Sequence, residues 1–439
     1  MAFPVSILVA VVVFAAQQVQ LPVDDPVSHA QAVLAALGGR DFAKVESQFT
    51  ERMKAALPNG LEPSWTTVTT QVGALKSCGT THVQEMANMH VTVTLCEFDH
   101  ARLDAQITFD RQGKIAGLLF RPPTAPAAPY SPPAYAAPAS YTESEVTVGS
   151  GEWTLPASLT MPVGAGPFPA LVLVHGSGPN DRDETILGNK PFKDLALGLA
   201  SRGIAVLRYD KRSKVYPARI AGTADFTVKQ EVVDDALAAV KTLRVQPRID
   251  PARVFVLGHS LGGMLIPRIA AGDASLAGLI VMAGAARPIE QAILEQTEYI
   301  AKADGKVTPE EQTQIDAVRK LVDTVRALTP EDAKNPQPIF GAPASYWLDL
   351  RGYDPPTAAK HVTQRMLILQ GERDYQVTMD EFARWKSALA GRSDVTFHSY
   401  PALNHLFIPG TGQSLPAEYE IPGHVDEAVV RDIADWMKK

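Results

Sequence analysis

Apolar residues in the second half of the chain come in short continuous runs with amphipathic stretches between them. Such runs are typical of parallel strands covered on both faces, and stretches with helical spacing are typical of helices packed on a sheet. The strand-like runs lie at residues 170–174, 204–207, 254–257, 279–282 and 366–369. Their alternation with helical stretches predicts an α/β fold class with a doubly wound, mostly parallel sheet.

Further strand-like runs flank this series. Residues 144–148 and 153–161 precede it and are joined by Gly149-Ser-Gly151, which predicts a hairpin. A strand at residues 395–400 and an amphipathic helix at 425–437 follow it. The predicted sheet domain therefore spans residues 144–439.

The alternation is interrupted over about residues 287–361. Apolar side chains at helical spacing mark one side of a charged helix there, and a stretch rich in proline and aromatic residues follows. We predict a helical insertion that covers one end of the sheet as a lid. Two interpretations of its aromatic residues are open: Tyr346 and Trp347 line an apolar substrate pocket, or they only pack.

The first half of the chain has a different order. Helical patterns at residues 30–37 and 42–56 come first, and strand-like runs at 91–95, 103–109 and 114–120 follow them. This order predicts a small α+β domain over residues 24–121. Residues 122–140 are rich in proline and alanine and predict an extended, semi-rigid linker that buries little surface.

The first 20 residues predict a signal peptide. Residues 5–16 are apolar, too few to span a bilayer, and Ala15 and Ala16 are small enough for a peptidase. No Lys or Arg precedes the apolar run, so a retained membrane anchor is the alternative interpretation. We expect a secreted or periplasmic protein with no stable membrane span after cleavage.

Composition and charge limit the possible classes of function. The 439 residues are 46% hydrophobic and 20% charged with a net charge of −7, and basic residues form no stripe, which argues against a nucleic-acid partner. The two cysteines, Cys78 and Cys96, lie in the first domain. In an exported protein they are expected to join two strands, and two free buried thiols are the alternative.

The sequence Gly258-His-Ser-Leu-Gly262 carries the candidate nucleophile, Ser260. A buried strand leads into it and a helical stretch leads out, as a nucleophile elbow requires. The glycines stand where a side chain would collide with a neighbouring strand or helix. The backbone N–H of Leu261 opens the helix, where an oxyanion can be bound.

A second glycine-rich turn, His175-Gly-Ser-Gly178, follows the strand at 170–174. Backbone N–H groups at the carboxyl end of a parallel sheet lie where α/β folds bind ligands. We expect the N–H groups of Ser177 and Leu261 to form an oxyanion hole, with an ordinary loop as the alternative.

An acid and a base follow in the order expected after a nucleophile elbow. Asp374 lies just past the strand at 366–369 and is the preferred acid, with Glu372 as the near alternative. His405 lies in the loop after the last strand and is the preferred base. His398 and His424 are placed less well, in a strand and beside a helix.

Residues 144–439 resemble the α/β-hydrolase superfamily through these motifs. They are similar to bacterial secreted serine esterases near the dienelactone hydrolase and prolyl-oligopeptidase-like branches. The resemblance implies a serine hydrolase with a lid, preceded by a small α+β module. Dienelactone hydrolases and dehalogenases use a Cys or Asp nucleophile, so Ser260 argues against these two branches of the superfamily.

The leading hypothesis is an esterase that acts on small-molecule carboxylic esters through Ser260, His405 and Asp374, with no metal or organic cofactor. A serine peptidase or amidase is second, although no β-propeller precedes the sheet domain. The third hypothesis is a binding or scaffold protein that has kept the elbow without its chemistry.

Overall fold

A computed structural model describes residues 25–57, 60–86, 89–121, 130–221, 223, 225–334 and 338–439. The predicted signal peptide, residues 1–20, lies outside the described residues. The described chain falls into two compact units, one over residues 25–121 and the other over residues 130–439.

The first unit places helices before an antiparallel sheet, as the sequence predicts. Its helices are α1 (Pro26–Gly38), α2 (Phe42–Glu46), α3 (Glu51–Ala56) and α4 (Glu62–Val72). Its strands are β1 (Leu75–Met86), β2 (Met89–Phe98), β3 (Arg102–Phe109) and β4 (Ile115–Arg121), in the order β1-β2-β3-β4. The sheet is therefore an antiparallel meander.

Two features of this unit correct the sequence analysis. The prediction of a single helix over residues 42–56 is wrong. The helix is interrupted around Phe49, which forms a parallel β-bridge with Ile115. The strand β1 and the helix α4 have no counterpart in the prediction. β1 is an edge strand with many exposed positions, so its sequence lacks the alternation that marks a half-buried strand.

A disulfide joins Cys78 and Cys96, which lie opposite each other on β1 and β2. The expected pairing is confirmed and the alternative of two free thiols is wrong. Around the bridge, Trp65, Phe98 and Phe120 form a cluster of tilted and edge-on rings. This unit thus has its own apolar core.

The second unit is built on an eight-stranded sheet. Its strands are β5 (Tyr141–Val148), β6 (Leu155–Pro162), β7 (Phe168–Val174), β8 (Ala205–Tyr209), β9 (Ile249–His259), β10 (Gly278–Met282), β11 (Met366–Gly371) and β12 (Val395–Tyr400). Their order is β12-β11-β10-β9-β7-β8-β6-β5. The strands from β12 to β8 are parallel, and the hairpin β5–β6 is antiparallel at one edge. The predicted fold class and hairpin are confirmed.

Helices cover the sheet in two groups: α5 and α15 contact each other, and so do α8 and α9. The helices of this unit are α5 (Pro191–Ala200), α6 (Arg212–Val215), α7 (Pro217–Ala221), α8 (Asp235–Arg244), α9 (Leu261–Gly272), α10 (Ile289–Ala301), α11 (Pro309–Ala327), α12 (Ala344–Leu350), α13 (Pro355–Ala359), α14 (Met379–Ala388) and α15 (Glu427–Lys438). A π-helical turn, Lys229–Asp234, leads into α8. The predicted insertion over 287–361 is helical, with α10 to α13.

Part of the predicted linker belongs to this second unit. Residues 122–129 lie outside the described residues, but Tyr130 donates a hydrogen bond to the buried carboxylate of Asp194 at 2.8 Å. Tyr135 donates to the carbonyl oxygen of Val425 at 2.7 Å and packs against Gly198. These two tyrosines therefore anchor the segment to the second unit, although most of residues 130–140 are exposed.

Within the described residues, no helix combines the length and the apolar character needed to cross a bilayer.

Candidate active site

Ser260 lies at a sharp corner between β9 and α9. Its backbone has φ 53° and ψ −115°, a conformation that costs a non-glycine residue about 1–3 kcal/mol. A Cβ at Gly258 would lie 2.2 Å from the carbonyl oxygen of Gly262, and one at Gly262 would lie 2.3 Å from that of Val174. Both glycines are thus required by close backbone approach, as the sequence predicts.

The backbone on both sides of Ser260 is fixed by hydrogen bonds. Its N–H donates to the carbonyl oxygen of Met282 at 3.0 Å, and its own carbonyl accepts from Met264 at 2.9 Å. Helix α9 begins at Leu261, so the N–H of Leu261 lies in the first helical turn, where no intrahelical acceptor exists. The helix dipole adds positive potential there.

Asp374 and His405 meet in the structure. Nδ1 of His405 donates to Oδ2 of Asp374 at 2.7 Å, and both side chains are buried. The other carboxylate oxygen accepts from the backbone N–H groups of Gln376 and Val377 at 2.8 and 3.0 Å. These bonds fix the carboxylate, and a neutral ring that donates through Nδ1 presents Nε2 as a proton acceptor.

The alternative acid and bases lie elsewhere. Glu372 is exposed and accepts a hydrogen bond from Ser399 at 2.8 Å. His398 contacts Asp432 at 3.1 Å, and His424 contacts Asp194 at 3.0 Å. None of these three side chains is paired with His405.

His259, the residue before Ser260, connects the elbow to the loop that carries His405. Its Nε2 donates to the backbone carbonyl of His405 at 3.0 Å, and the two rings lie 4.7 Å apart between centroids. This contact places His405 directly beside the elbow. The structure thus places the hydrogen-bonded pair of His405 and Asp374 beside the end of β9, the strand that leads to Ser260.

A buried ion pair supports this arrangement. Nδ1 of His259 lies 2.9 Å from Oε2 of Glu184, and both side chains are buried. Burial lowers the pKa of His259, but the Glu184 carboxylate more than offsets it, so the pKa is raised above its usual value. Burial raises the pKa of Glu184, and His259 more than reverses this, so that pKa is lowered.

Glu184 also holds the loop after β7. Its Oε1 accepts from the backbone N–H of Gly176 at 2.6 Å, and its own backbone is left-handed at φ 52°. A Cβ at Gly176 would lie 3.6 Å from the hydroxyl oxygen of Ser260, so this loop passes directly beside the candidate nucleophile. The next residue, Ser177, is exposed.

Tyr346 and Trp347 lie on α12 and are buried in the core of the second unit. The hydroxyl of Tyr346 donates to Glu231 at 2.8 Å, and the indole N–H of Trp347 donates to the carbonyl of Ile339 at 2.8 Å. Their polar atoms are thus occupied within the protein. Their role in lining a substrate pocket stays a prediction.

Metal-ligating side chains do not cluster in the part of the chain that the structure describes. No group of three or more His, Cys, Asp or Glu residues there is arranged to hold a metal ion. The titratable groups of the site instead pair with each other, Asp374 with His405 and Glu184 with His259.

The sequence analysis missed Glu184 and His259, and also Lys211, whose Nζ donates a hydrogen bond to the carbonyl oxygen of Gly176. Glu184 follows directly on a polar stretch, and such a stretch is typical of a solvated loop. Lys211 lies two residues past β8. The one available signal was position. His259 is the last residue of β9, and Glu184 and Lys211 lie in the segments that follow β7 and β8, on the side of the sheet where α/β folds place functional groups.

Comparison with known families matches both units. Residues 170–409, more than half of the chain, match the family described as serine aminopeptidase, S33. Residues 30–118 match DUF3887, a family of unknown function.

The chain is also similar to individual proteins. Esterase EstD of Thermotoga maritima is 40% identical over 408 residues, which are 92% of this chain and 93% of that protein. A solved esterase of Pyrobaculum calidifontis has 18% identity and a TM-score of 0.44, covering 68% of this chain and 85% of that one. An esterase of Pyrococcus furiosus has 16% identity and a TM-score of 0.42, covering 68% and 92%.

Proposed function

The chain belongs to the serine aminopeptidase S33 family of α/β-hydrolases, and from this premise we propose that it hydrolyses carboxylic esters through an acyl-enzyme on Ser260. The 40% identity to an esterase over 92% of the chain supports an esterase-type hydrolase. The acyl-enzyme is supported by the chemistry that a serine at an elbow performs beside a histidine–aspartate pair.

In the proposed first step, Nε2 of His405 accepts the hydroxyl proton of Ser260 as the serine oxygen attacks the ester carbonyl. The negative oxygen that forms is bound by the N–H groups of Ser177 and Leu261. His405 then gives its proton to the departing alcohol, and the acyl group remains on Ser260. Asp374 holds the imidazole in position and stabilises its cation.

In the second step, water replaces the alcohol. His405 accepts a proton from the water as its oxygen attacks the acyl carbonyl, and the same N–H groups bind the second oxyanion. Transfer of that proton to Ser260 releases the carboxylic acid and restores the enzyme. Each step forms and breaks one acyl–oxygen bond, and no redox partner is required.

One observation carries this proposal: the 2.7 Å hydrogen bond between His405 and Asp374 lies beside a strained serine elbow. A structural histidine in a loop has no need of a carboxylate fixed by two backbone N–H groups. A backbone strain of this kind persists only where the surrounding structure enforces it.

A serine amidase or aminopeptidase is the second candidate, because the matched family is described as serine aminopeptidase. Hydrolysis of esters and hydrolysis of amides pass through tetrahedral intermediates of the same kind, so these three residues could serve either substrate. Comparing p-nitrophenyl esters with aminoacyl p-nitroanilides separates them. Faster turnover of the anilides would reverse the order of the two candidates.

We also propose that the protein is exported to the periplasm or the medium. The apolar run at residues 5–16 and the disulfide between Cys78 and Cys96 support this, since disulfides persist mainly in oxidising compartments. Amino-terminal sequencing of the protein from cell fractions tests it. A full-length cytoplasmic product would contradict it.

The decisive experiment is Ser260→Ala. We expect at least about a 10⁴-fold loss of kcat on p-nitrophenyl esters, because no other group replaces the nucleophile. The melting temperature should change little, since the strain at the elbow belongs to the backbone. Ser275→Ala, past the far end of α9, is the matched control and should keep wild-type rates.

A fluorophosphonate probe tests the covalent step directly. Wild type should be labelled once, at Ser260, and Ser260→Ala should not be labelled. A folded wild-type protein that resists the probe would favour the binding or scaffold hypothesis. Residual ester turnover near wild type in Ser260→Ala would refute the assignment of the nucleophile.

A further inference from the structure

A buried lysine contacts the peptide group that carries one of the proposed oxyanion donors. Nζ of Lys211 donates to the carbonyl oxygen of Gly176 at 2.8 Å, and the side chain is only 2% exposed. That carbonyl belongs to the same peptide group as the N–H of Ser177. A longer contact, 3.3 Å, joins the same oxygen to the side-chain amide of Asn180.

Peptide geometry fixes the direction of the Ser177 N–H relative to the Gly176 carbonyl. The Gly176–Ser177 peptide is trans, so its carbonyl and its N–H point in opposite directions. Because the carbonyl points to an ammonium in the interior, the N–H of Ser177 points away from it. The adjoining Cα of Gly176 lies against Ser260, so this peptide stands beside the candidate nucleophile.

The ammonium has a second, more distant partner. Oε2 of Glu231 lies 3.4 Å from Nζ of Lys211, and the same oxygen accepts from the hydroxyl of Tyr346 at 2.8 Å. Glu231 stands on the π-helical turn, a local irregularity that often accompanies functional sites. The ammonium of Lys211 thus lies closer to the Gly176 carbonyl oxygen than to the Glu231 carboxylate. A lysine that served only in a structural ion pair would not need this closer contact with the carbonyl.

We propose that Lys211 is a positioning residue of the oxyanion hole, an inference that rests on the function proposed above. Its ammonium fixes the direction of the Ser177 N–H and withdraws electron density from the peptide carbonyl, which makes that N–H a stronger donor. The charge is in place before the oxyanion forms, so no reorganisation is needed. Lys211 takes no part in the proton transfers of either step.

A structural role would have different consequences. The backbone N–H of Lys211 donates to the carbonyl of Asn180 at 3.0 Å, so the two loops stay connected whatever side chain stands at 211. Loss of the side chain therefore tests the ammonium rather than the connection between the loops.

The test uses Lys211→Met and the double variant Lys211→Met/Glu231→Gln, which leaves no unpaired buried carboxylate. Lys190→Met is the matched control, because Nζ of Lys190 binds Asp183 and Thr185 at 3.1 and 3.0 Å instead of the Gly176 peptide. Active sites are counted by fluorophosphonate labelling taken to completion, and kcat and KM are measured with p-nitrophenyl butyrate. Affinity for phenylboronic acid, which forms a tetrahedral adduct on serine, is measured in parallel.

We expect kcat per titrated site to fall about 10- to 100-fold in both variants, with KM changed less than about threefold, because both chemical steps pass through an oxyanion. Phenylboronic acid should bind more weakly by a similar factor. Lys190→Met should keep wild-type values. Should Lys211→Met fail to fold, the double variant carries the test.

The inference is overturned if the double variant keeps wild-type kcat per titrated site and loses only active sites or thermal stability. That result would leave the proposed function intact, provided that Ser260→Ala is inactive. Wild-type turnover in Ser260→Ala would instead overturn both. The two failures are therefore distinguishable.

Discussion

The two units stabilise their interiors in different ways. Buried polar groups of the first unit are mainly threonines, such as the pair Thr81 and Thr94, whose hydroxyls lie 2.8 Å apart, and a disulfide joins two of its strands. The second unit buries titratable groups at the carboxyl ends of its strands, among them Glu184, Lys211 and His405. Burial of charge costs free energy, so its concentration there indicates function.

The largest expected effect concerns the acid of the second unit. Asp374→Asn should lower kcat about 10⁴-fold, because an amide favours the wrong tautomer of His405. Measured ester turnover, normalised to titrated sites, checks this. Glu372→Gln is the control on the same loop and should keep wild-type turnover, since Glu372 is exposed and contacts Ser399. If Glu372→Gln were the more damaging change, the acid is assigned wrongly.

The next effect belongs to the first unit. Replacing Cys78 and Cys96 by alanine opens a bridge between residues 18 positions apart and should lower the stability of this unit by about 3 kcal/mol. Hydrogen exchange of the β1 and β2 amides measures the loss. Ester turnover should stay within about twofold, because the bridge lies in a core separate from that of the sheet. A large loss of ester turnover would contradict the expectation that this disulfide affects only the first unit.

The smallest effect is a pH dependence in the second unit. Burial lowers the pKa of His175 to about 4, below its usual 6.5, so the unfolded chain binds a proton that the folded chain excludes. Stability from this group is complete above pH 6.5 and is lost as the pH falls towards 4. From pH 7 to pH 5 the loss is about 2 kcal/mol.

Urea unfolding at several pH values measures that loss. His175→Gln removes the titrating ring, so its unfolding free energy should fall less between pH 7 and pH 5 than that of wild type. His361→Gln, at an exposed histidine, should leave the wild-type dependence unchanged. Parallel curves for wild type and His175→Gln would contradict the prediction.

Much of the second unit was predictable because its strands are continuous apolar runs and its glycines are required locally. The elbow at Ser260 follows from such a run, two glycines and a helix. Asp374 and His405 follow from their position past strand ends, which a parallel sheet brings to one edge. These features depend on neighbours in sequence or on the topology of the sheet.

The supporting charges could not be predicted from sequence, because their partners are far apart along the chain. Lys211 contacts an oxygen 35 residues earlier, and Glu231 contacts a hydroxyl 115 residues later. A surface lysine and a buried one look alike in sequence. In the first unit, the break at Phe49 depends on a bridge to Ile115, so a tertiary contact overrides the local helical pattern.

The packing of Tyr130 and Tyr135 determines at which residue a shortened protein, containing only the second unit, should begin. Starting it at Tyr141, the first residue of β5, would remove the phenol of Tyr130 that binds Asp194 and the ring of Tyr135 that packs against Gly198. Burial already raises the pKa of that carboxylate, which would then lose one of its donors. A shortened gene should therefore retain both tyrosines, even though the proline-rich composition around them suggests dispensable sequence.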